Sequence, residues 1–204
     1  MNFPLLLSIC TLCSYLIGGI NPAILLSRLL YHQDIRALGS KNPGFTNFKR
    51  VYGNRHAWFV FLLDILKTAV LCAVFCPLFV LCGKAYALGA AYTGLCAMLG
   101  HVFPVWYHFK GGKGFLVGAT AIWFIDWRTA LIALAVWGVL LAITKYMSLS
   151  VICSAFVCPF TLAALGEPTV VCLVCAAACL LLIVRHRENI LRLFKGTESK
   201  FRLR

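Results

Sequence analysis

The chain has 204 residues, of which 62% are hydrophobic and only 12% are charged. A soluble domain carries about 25% charged residues, so this composition excludes an ordinary soluble protein and indicates an integral membrane protein. The net charge of +13 would suggest nucleic-acid binding in a soluble protein. In a membrane protein it indicates a basic rim that faces anionic headgroups and anionic substrates.

Apolar segments long enough to cross a bilayer, about 20 residues, recur along the chain. The first covers residues 4–27. It has neither a basic start nor a small-residue cleavage site, so we interpret it as a retained span and not as a signal peptide. A shorter apolar segment, 115–125, has about half the spanning length and fits a short, broken or re-entrant helix. The remaining spans are predicted at 57–82, 86–107, 129–146, 149–165 and 169–184.

The basic residues predict the orientation of these spans. Of the nineteen Lys and Arg residues, all but Lys67, Lys84 and Arg128 lie in the loop 28–56, in the segment 110–114, at Lys145 or in the tail from Arg185 to Arg204, which includes Arg202. The positive-inside rule places these segments in the cytoplasm. Alternation then requires 115–125 to cross. The chain is thus predicted to be an all-α membrane protein, one membrane-embedded domain over 1–204, with seven transmembrane helices and the N terminus outside. Five spans is the alternative.

The segment FKGGKG joins two of the predicted spans. Its glycines and lysines are Lys110, Gly111, Gly112, Lys113 and Gly114. Glycines permit tight turns that expose backbone N–H groups, and the lysines add positive charge. This combination predicts an anion site at the membrane surface, and phosphate is the obvious anion. The segment is not a Walker A sequence, because G-x-x-x-x-G-K-[ST] does not occur in the chain.

The loop Asp34–Gly53 is rich in side chains that form hydrogen bonds, and it ends with two basic residues. These residues are Ser40, Asn42, Thr46, Asn47, Lys49 and Arg50. Arginine suits bidentate binding of phosphate. An ordinary solvated loop has a similar composition, so the loop alone leaves both interpretations open.

The tail beyond Arg185 alternates basic and apolar residues. It is predicted to continue the last span as an interfacial helix that ends at Gly196. His186 and Asn189 are three residues apart and therefore share one helix face. Glu198 follows the helix.

Five further polar side chains have ordinary explanations. Ser148 faces the same compartment as the loops, and a helix cap is the alternative to a ligand contact. His101 and His108 lie at the membrane boundary, where an interfacial role is commoner than acid–base chemistry. Asp64 and Lys67 are three residues apart within a span, so we expect a structural pair near the outer half of the membrane.

The chain contains eleven cysteines, an odd number. Two pairs have CxxC spacing, Cys10 with Cys13 and Cys172 with Cys175. Both pairs lie in the middle of apolar spans, and no histidine lies beside them. Packing as small apolar side chains is therefore favoured over metal binding or redox chemistry.

Several of these segments together resemble one family. GSKNPGFTN with Arg50 resembles its first motif, GHVFPVWYHFKGGKG its second and RHRENILRLFKGTESK its third. The segment TKYMSLS is similar to a further family segment, and the order and spacing agree over nearly the whole chain. The family is that of the bacterial membrane acyl-phosphate:glycerol-3-phosphate acyltransferases, often called the PlsY family.

The resemblance implies an enzyme that transfers an acyl group from acyl-phosphate to the first hydroxyl of glycerol-3-phosphate. The products would be lysophosphatidate and phosphate, in the first acylation of phospholipid synthesis. It also implies the seven-span fold, with a catalytic site on the cytoplasmic side of the bacterial inner membrane. No metal, cofactor, acyl-CoA, nucleic acid or obligatory protein partner is implied.

The resemblance also implies roles for individual residues. Glu198 matches an acid of the third motif with a structural role. The residues that it implies to be catalytic are Ser40, Arg50, His186 and Asn189. Those expected to bind substrate phosphate are Lys110, Gly111, Gly112, Lys113, Gly114, Ser148, Asn42, Thr46 and Asn47. The sequence departs mildly from the family pattern at Lys41, Phe45 and Lys145, and in the run FLVGAT after Gly114.

The general base is expected to be either His186 or the phosphate of glycerol-3-phosphate. Ser40 is expected to bind phosphate, since no histidine–acid pair with triad spacing is evident. An acyltransferase with an HxxxxD pair is excluded, because no histidine has an aspartate five residues on. A transporter of organic phosphates is the other alternative. It would place polar groups near the midplane, often within repeats, whereas here they cluster at one surface.

Overall fold

Helices account for most of the computed structural model, which describes residues 2–201. Two single-turn 3₁₀ helices, Ile35–Ala37 and Val105–Tyr107, lie in loops. The α-helices within this range are α1 (Phe3–Gly19), α2 (Pro22–Tyr31), α3 (Phe45–Tyr52), α4 (Asn54–Leu81), α5 (Tyr86–Val102), α6 (Phe115–Ile125), α7 (Trp127–Thr144), α8 (Met147–Ala164), α9 (Thr169–Arg185) and α10 (Arg187–Phe194). Arg202 and Arg204 of the basic tail lie outside the described residues.

Five segments are long and apolar enough to cross a bilayer. They are Phe3–Tyr31, Asn54–Leu81, Tyr86–Tyr107, Trp127–Thr144 and Met147–Ala164. The pair α9 and α10, bent by 58°, makes a sixth if it is counted as one span. Helix α6 has 11 residues, so it is about 16 Å long, roughly half the hydrocarbon thickness. Five or six spans therefore meet these criteria, and the predicted seven requires α6 to cross as well.

The predicted first span, 4–27, is two helices and not one. The side chain of Asn21 is fully buried and begins α2, because its Oδ1 accepts the Ile24 N–H at 3.0 Å. Pro22 follows at the first helical position, where its missing N–H has no consequence. The Asn21 Nδ2 donates to Pro43 O at 3.1 Å. One residue therefore interrupts the span and ties the first loop to the helix bundle.

Helix α5 lies at the centre and packs against α1, α4, α6 and α9. Glycines allow its backbone to approach its neighbours closely. A Cβ at Gly18 would lie 2.4 Å from Ala97 O, and one at Gly100 would lie 2.0 Å from Tyr15 O. Small residues at such crossings are typical of membrane helices, whose association depends on close packing.

Large apolar side chains cover the outside of the bundle. Leu81 and Ile143, for example, are 80% and 74% exposed. Exposed apolar surface of this extent is expected where the surrounding solvent is lipid. The eleven cysteines are free thiols, and within residues 2–201 no three His, Cys, Asp or Glu side chains group as a metal site would need.

The polar motif segments meet at one end of the bundle, as the sequence predicts. We term this the motif end; it comprises the loops 32–44 and 103–114, the turn 145–146 and the residues 186–201. Asp64 and Lys67 pair at 2.8 Å, as predicted. The pair lies towards the motif end and not towards the opposite end, where it is expected, because Lys67 reaches the carbonyls of Gly18 and Ile20. These carbonyls end α1 at the motif end.

Candidate active site

The glycine segment 111–114 folds back onto the end of α5. The Gly111 N–H donates to Val102 O at 3.2 Å, and the Gly112 N–H donates to His101 O at 3.0 Å. The sequence predicts exposed N–H groups here, and for these two glycines that prediction is wrong. The unpaired carbonyls at the end of α5 take both donors. A Cβ at Gly111 would lie 2.1 Å from His101 O, so close packing is what requires glycine.

Free N–H groups lie instead at the start of α6. Gly114 has a φ of +84° and precedes the first helical residue without any side-chain cap. The N–H groups of Lys113, Gly114 and the first turn of α6 have no acceptor within residues 2–201. A helix start with free N–H groups and the positive end of the helix dipole favours an anion. The free donors that the predicted anion site requires are thus at the start of α6 and not at Gly111 and Gly112.

A polar network next to this helix start connects three separate segments. The Lys113 ammonium donates to Asn189 Oδ1. The Asn189 Nδ2 and the Ser148 Oγ both donate to Glu198 Oε1, each at 2.7 Å. The Arg192 Nε donates to the other carboxylate oxygen of Glu198 at 2.7 Å. Glu198 therefore holds Ser148, Asn189 and Arg192 together, and Asn189 links this group to Lys113.

The network has a defined charge at neutral pH. Burial, followed by the neighbouring Arg192, lowers the pKa of Lys113 to about 8. Burial raises the pKa of the Glu198 carboxyl, but hydrogen bonds from Asn189, Ser148 and Arg192 outweigh it and leave that pKa below its usual value. Lys113 is therefore mainly cationic at pH 7 and loses its charge within the physiological range.

Asn47 folds the first loop. Its side chain is buried; its Oδ1 accepts the Ser40 N–H at 2.8 Å, and its Nδ2 donates to Leu38 O at 3.0 Å. Both ends of the amide are therefore taken by backbone within the loop. A direct contact of Asn47 with phosphate, as expected from the sequence, would require these bonds to break.

The other candidate residues of the two loops present their side chains to the outside. Ser40, Arg50 and Lys110 are exposed, and Asn42 and Thr46 are half-buried. Within residues 2–201 none of these five side chains has a hydrogen-bond partner of its own. They are therefore available to an incoming anion.

His186 lies at the bend between α9 and α10 and is buried. Its Nδ1 lies 2.9 Å from Leu182 O. A carbonyl oxygen only accepts hydrogen bonds, so we assign the ring proton to Nδ1, which leaves Nε2 as an acceptor. With this assignment the Nε2 of His186 can accept a proton, as the predicted general base must.

Arg36 clamps the two loops together. Its Nη1 donates to Tyr107 O at 3.0 Å and to Lys110 O at 3.1 Å, while its Nη2 binds Asp34 at 2.7 Å. Hydrogen bonds from Arg36 hold the pKa of Asp34 well below its usual range. From the sequence, Arg36 is only one of the basic residues that predict the orientation of the spans. Its carbonyl partners are 71 and 74 residues away, so no local pattern signals this role.

An apolar cavity of about 500 Å³ lies along α6. Its walls include every residue of α6 except Val117, together with Met98, Trp137, Cys158 and Cys179 from the surrounding helices. The volume lies within the range of small-molecule sites. The sequence analysis does not predict this cavity, which arises between helices far apart in the chain. The free N–H groups at the start of α6 and the apolar cavity are thus next to each other.

Comparison with known proteins decides the family. The model of the family described as glycerol-3-phosphate acyltransferase matches residues 8–196. The chain belongs to the glycerol-3-phosphate acyltransferase family. A glycerol-3-phosphate acyltransferase of Shewanella woodyi is 39% identical over 195 residues, 93% of this chain and 91% of that protein. One of Rhodopseudomonas palustris is 40% identical over 188 residues, 91% of each.

Solved structures agree with this membership. The chain is similar to PlsY (YgiH), an integral membrane glycerol 3-phosphate acyltransferase, in its glycerol 3-phosphate form. The TM-score is 0.88, with 31% identity over 96% of each chain. For the lysophosphatidic acid form the TM-score is 0.83, with 30% identity over 96% of this chain and 95% of that one.

The resemblance predicted from the motifs is thereby confirmed. The protein is a multi-pass membrane acyltransferase that acylates glycerol-3-phosphate in phospholipid synthesis. The transporter alternative is not supported.

Proposed function

We propose that the acyl donor of this enzyme is acyl-phosphate. The observation that supports it is the position of the apolar cavity beside the start of α6. An acyl-phosphate has the same two parts, an anionic head and an apolar chain, joined at the carbonyl that reacts. The chain would lie in the cavity, where each buried methylene contributes about 0.8 kcal/mol. The phosphate would lie at the helix start, where Lys113 supplies charge.

The second anion of the reaction is the phosphate of glycerol-3-phosphate. The exposed side chains of Ser40, Arg50 and Lys110, and the half-buried Asn42 and Thr46, surround the same end of the bundle. We assign these side chains, with Ser148, to binding the two phosphates. The related PlsY structures are described as glycerol 3-phosphate and lysophosphatidic acid forms, which supports a site for an acceptor and for its acylated product.

In the proposed reaction the first hydroxyl oxygen of glycerol-3-phosphate attacks the acyl carbon. A new ester bond forms, the bond from the acyl carbon to the phosphate oxygen breaks, and phosphate leaves with that electron pair. The hydroxyl proton goes to His186 Nε2 or to the phosphate of glycerol-3-phosphate. Free N–H groups and Lys113 stabilise the charge that develops, and holding the two reactants together supplies much of the rate.

The remaining candidates have positioning roles in this proposal. Gly111 and Gly112 seat the segment on α5, and Gly114 turns it into α6. Asn189 and Glu198 hold Lys113 and Ser148 in place. Asn47 shapes the loop that presents Ser40.

We infer that the chain forms one catalytic domain with seven transmembrane helices, in which the short α6 crosses the bilayer. The N terminus would lie outside and the motif end in the cytoplasm, at the inner membrane of a bacterium. The concentration of basic residues at the motif end supports this orientation through the positive-inside rule.

The donor is tested by supplying the purified protein with glycerol-3-phosphate and either acyl-phosphate or acyl-CoA. We expect phosphate and lysophosphatidate to form from acyl-phosphate alone, and phosphate release to require the acceptor. Turnover of acyl-CoA with acyl-phosphate inert would refute the proposal. Lys195→Met, an exposed lysine of the tail, serves as the matched control for Lys113→Met, which should lose activity.

The base is tested with His186→Ala. If the histidine takes the proton, kcat should fall by about 10²- to 10⁴-fold. Full activity of this variant would assign the proton to the substrate phosphate.

A further inference from the structure

Three buried ionisable side chains lie together beneath the glycine segment, between α1, α4 and α5. Asp64 is 3% exposed and His101 is 4% exposed, and the side chain of Lys67 is 8% exposed. None of them has a role in the proposed reaction. Ionisable groups within a membrane bundle are unfavourable unless they are paired, and they commonly have a function.

Lys67 uses all of its protons in this cluster. Its Nζ donates to Gly18 O and to Ile20 O, both at 2.9 Å, and lies 3.0 Å from His101 Nδ1. The two carbonyls accept no hydrogen bond within a helix because α1 ends there. A cation is favoured at such a helix C terminus. An ammonium group has three protons and no acceptor, so these three partners account for the whole group.

Asp64 supplies charge to the cluster. Its Oδ1 lies 2.8 Å from Lys67 Nζ and 3.5 Å from His101 Nδ1. The same oxygen nevertheless has no partner of hydrogen-bond geometry within residues 2–201. This agrees with the three protons of Lys67 being directed elsewhere. Asp64 therefore places a negative charge beside the buried ammonium.

His101 contacts both Lys67 and the glycine segment. Because an ammonium cannot accept, the Nδ1 of His101 accepts from Lys67, and the ring proton lies on Nε2. A Cβ at Gly112 would lie 2.3 Å from that Nε2, and the Gly112 N–H donates to His101 O at 3.0 Å. The ring and the backbone of His101 thus form the seat of Gly112, two residues before Gly114 and the start of α6.

We propose that Lys67 is a positioning residue for the substrate site. By holding the end of α1 and the His101 ring in one arrangement, it fixes Gly112 and with it the N–H groups at the start of α6. The inference rests on the proposed function in one respect, namely that the start of α6 binds a substrate phosphate. A displacement of about 1 Å at such a site can reduce the rate by about 100-fold.

The kinetic test compares Lys67→Met with Lys84→Met, an exposed lysine at the opposite end of the bundle. We expect kcat/KM for glycerol-3-phosphate to fall by about 10- to 100-fold in Lys67→Met, and we expect the unpaired Asp64 carboxylate to lower the thermal stability of this variant. Lys84→Met should match the wild type. Wild-type kcat and KM in Lys67→Met would overturn the proposal.

A double-variant cycle distinguishes positioning from a general loss of structure. If Lys67 acts through His101, the double variant His101→Gln with Lys67→Met should have a kcat/KM no lower than that of the less active single variant. Losses that multiply would show two independent roles and would overturn the proposal. Should Lys67→Met fail to fold, Asp64→Asn with Lys67→Met leaves no unpaired buried charge. Failure of that variant as well would show a role in folding alone and would equally overturn it.

Hydrogen exchange separates this inference from the proposed function, because it needs no turnover. In Lys67→Met we expect faster exchange of the Gly111 and Gly112 amides, which donate to the end of α5, with α8 unchanged. Unchanged exchange there would overturn the positioning role even if the enzyme uses acyl-phosphate. Faster exchange in a protein that does not use acyl-phosphate would support the positioning role and refute the donor assignment alone.

Discussion

Lys113 and Asn189 are 76 residues apart in the chain, and the ammonium of one donates to the amide oxygen of the other. This contact joins the glycine segment to α10. Asn189 in turn donates to the tail residue Glu198, whose carboxylate also accepts a hydrogen bond from Ser148. The positive charge beside the start of α6 is therefore held in place by the C-terminal part of the chain.

The first prediction concerns pH. Burial lowers the pKa of Lys113 to about 8, so the ammonium is charged below that value and neutral above it. An anionic substrate stabilises the charged form, and its affinity should therefore weaken as the pH rises above about 8. The measurement is KM for each substrate as a function of pH. Lys113→Arg is the control, because arginine stays charged and should abolish this dependence if binding is retained.

The second prediction concerns Glu198, whose carboxylate accepts hydrogen bonds from Ser148, Asn189 and Arg192. A hydrogen bond to a charged group contributes about 1.5–3 kcal/mol, so Glu198→Ala should lower the free energy of unfolding by about that amount and reduce activity. Denaturation in detergent measures the first effect. Glu188→Ala, an exposed acid on α10, should leave the free energy of unfolding unchanged; an equal loss of stability in both variants would contradict this prediction.

The third prediction concerns Arg36. Arg36→Ala removes the donors to Tyr107 O and Lys110 O, so we expect kcat/KM to fall by about 10-fold or more through a misplaced glycine segment. Arg36→Lys should retain only part of the wild-type kcat/KM, since one ammonium group cannot reproduce the several N–H donors of the planar guanidinium. Arg28 binds Asp34 and lies over the Tyr107 ring, as Arg36 does, but within residues 2–201 it donates to neither of these carbonyls, which makes Arg28→Ala the matched control. Comparable losses for Arg28→Ala would argue against the clamp.

The fourth prediction concerns the cavity. Ala130 lines it near the end of α6 that is remote from Gly114. Ala130→Phe should shorten the space, and long acyl-phosphates should lose more kcat/KM than short ones, by about 4-fold per excluded methylene. The control is Ala135→Phe, because Ala135 is exposed, lies on α7 like Ala130, and does not line the cavity. Equal losses for all chain lengths would show that the acyl chain does not reach Ala130.

Hydropathy predicts most of the helices, because the length of an apolar run reflects bilayer thickness directly. The segment 115–125 has the same bounds in the structure, and the tail helix ends before Gly196 as predicted. The break after α1 is missed because apolar residues continue on both sides of Asn21. Its signal is local all the same: Asn21 followed by Pro22 is a pattern typical of a helix start.

The motifs predict which segments form the site, whereas they do not predict which atoms remain free. The N–H groups of Gly111 and Gly112 are consumed by the end of α5, and the amide of Asn47 is consumed by its own loop. Both outcomes depend on where other backbone groups lie. Composition alone does not contain that information.

The sequence by itself determined that this is a helical membrane protein, that its polar segments share one face, and to which family it belongs. These properties follow from apolar run length, charge placement and motif order. Only the tertiary structure decided the clamp of Arg36 on the glycine segment, the Lys67 cluster beneath it, and the cavity beside α6. Each joins residues from helices or loops distant in the chain. Their contacts are set by helix packing, which local patterns do not specify.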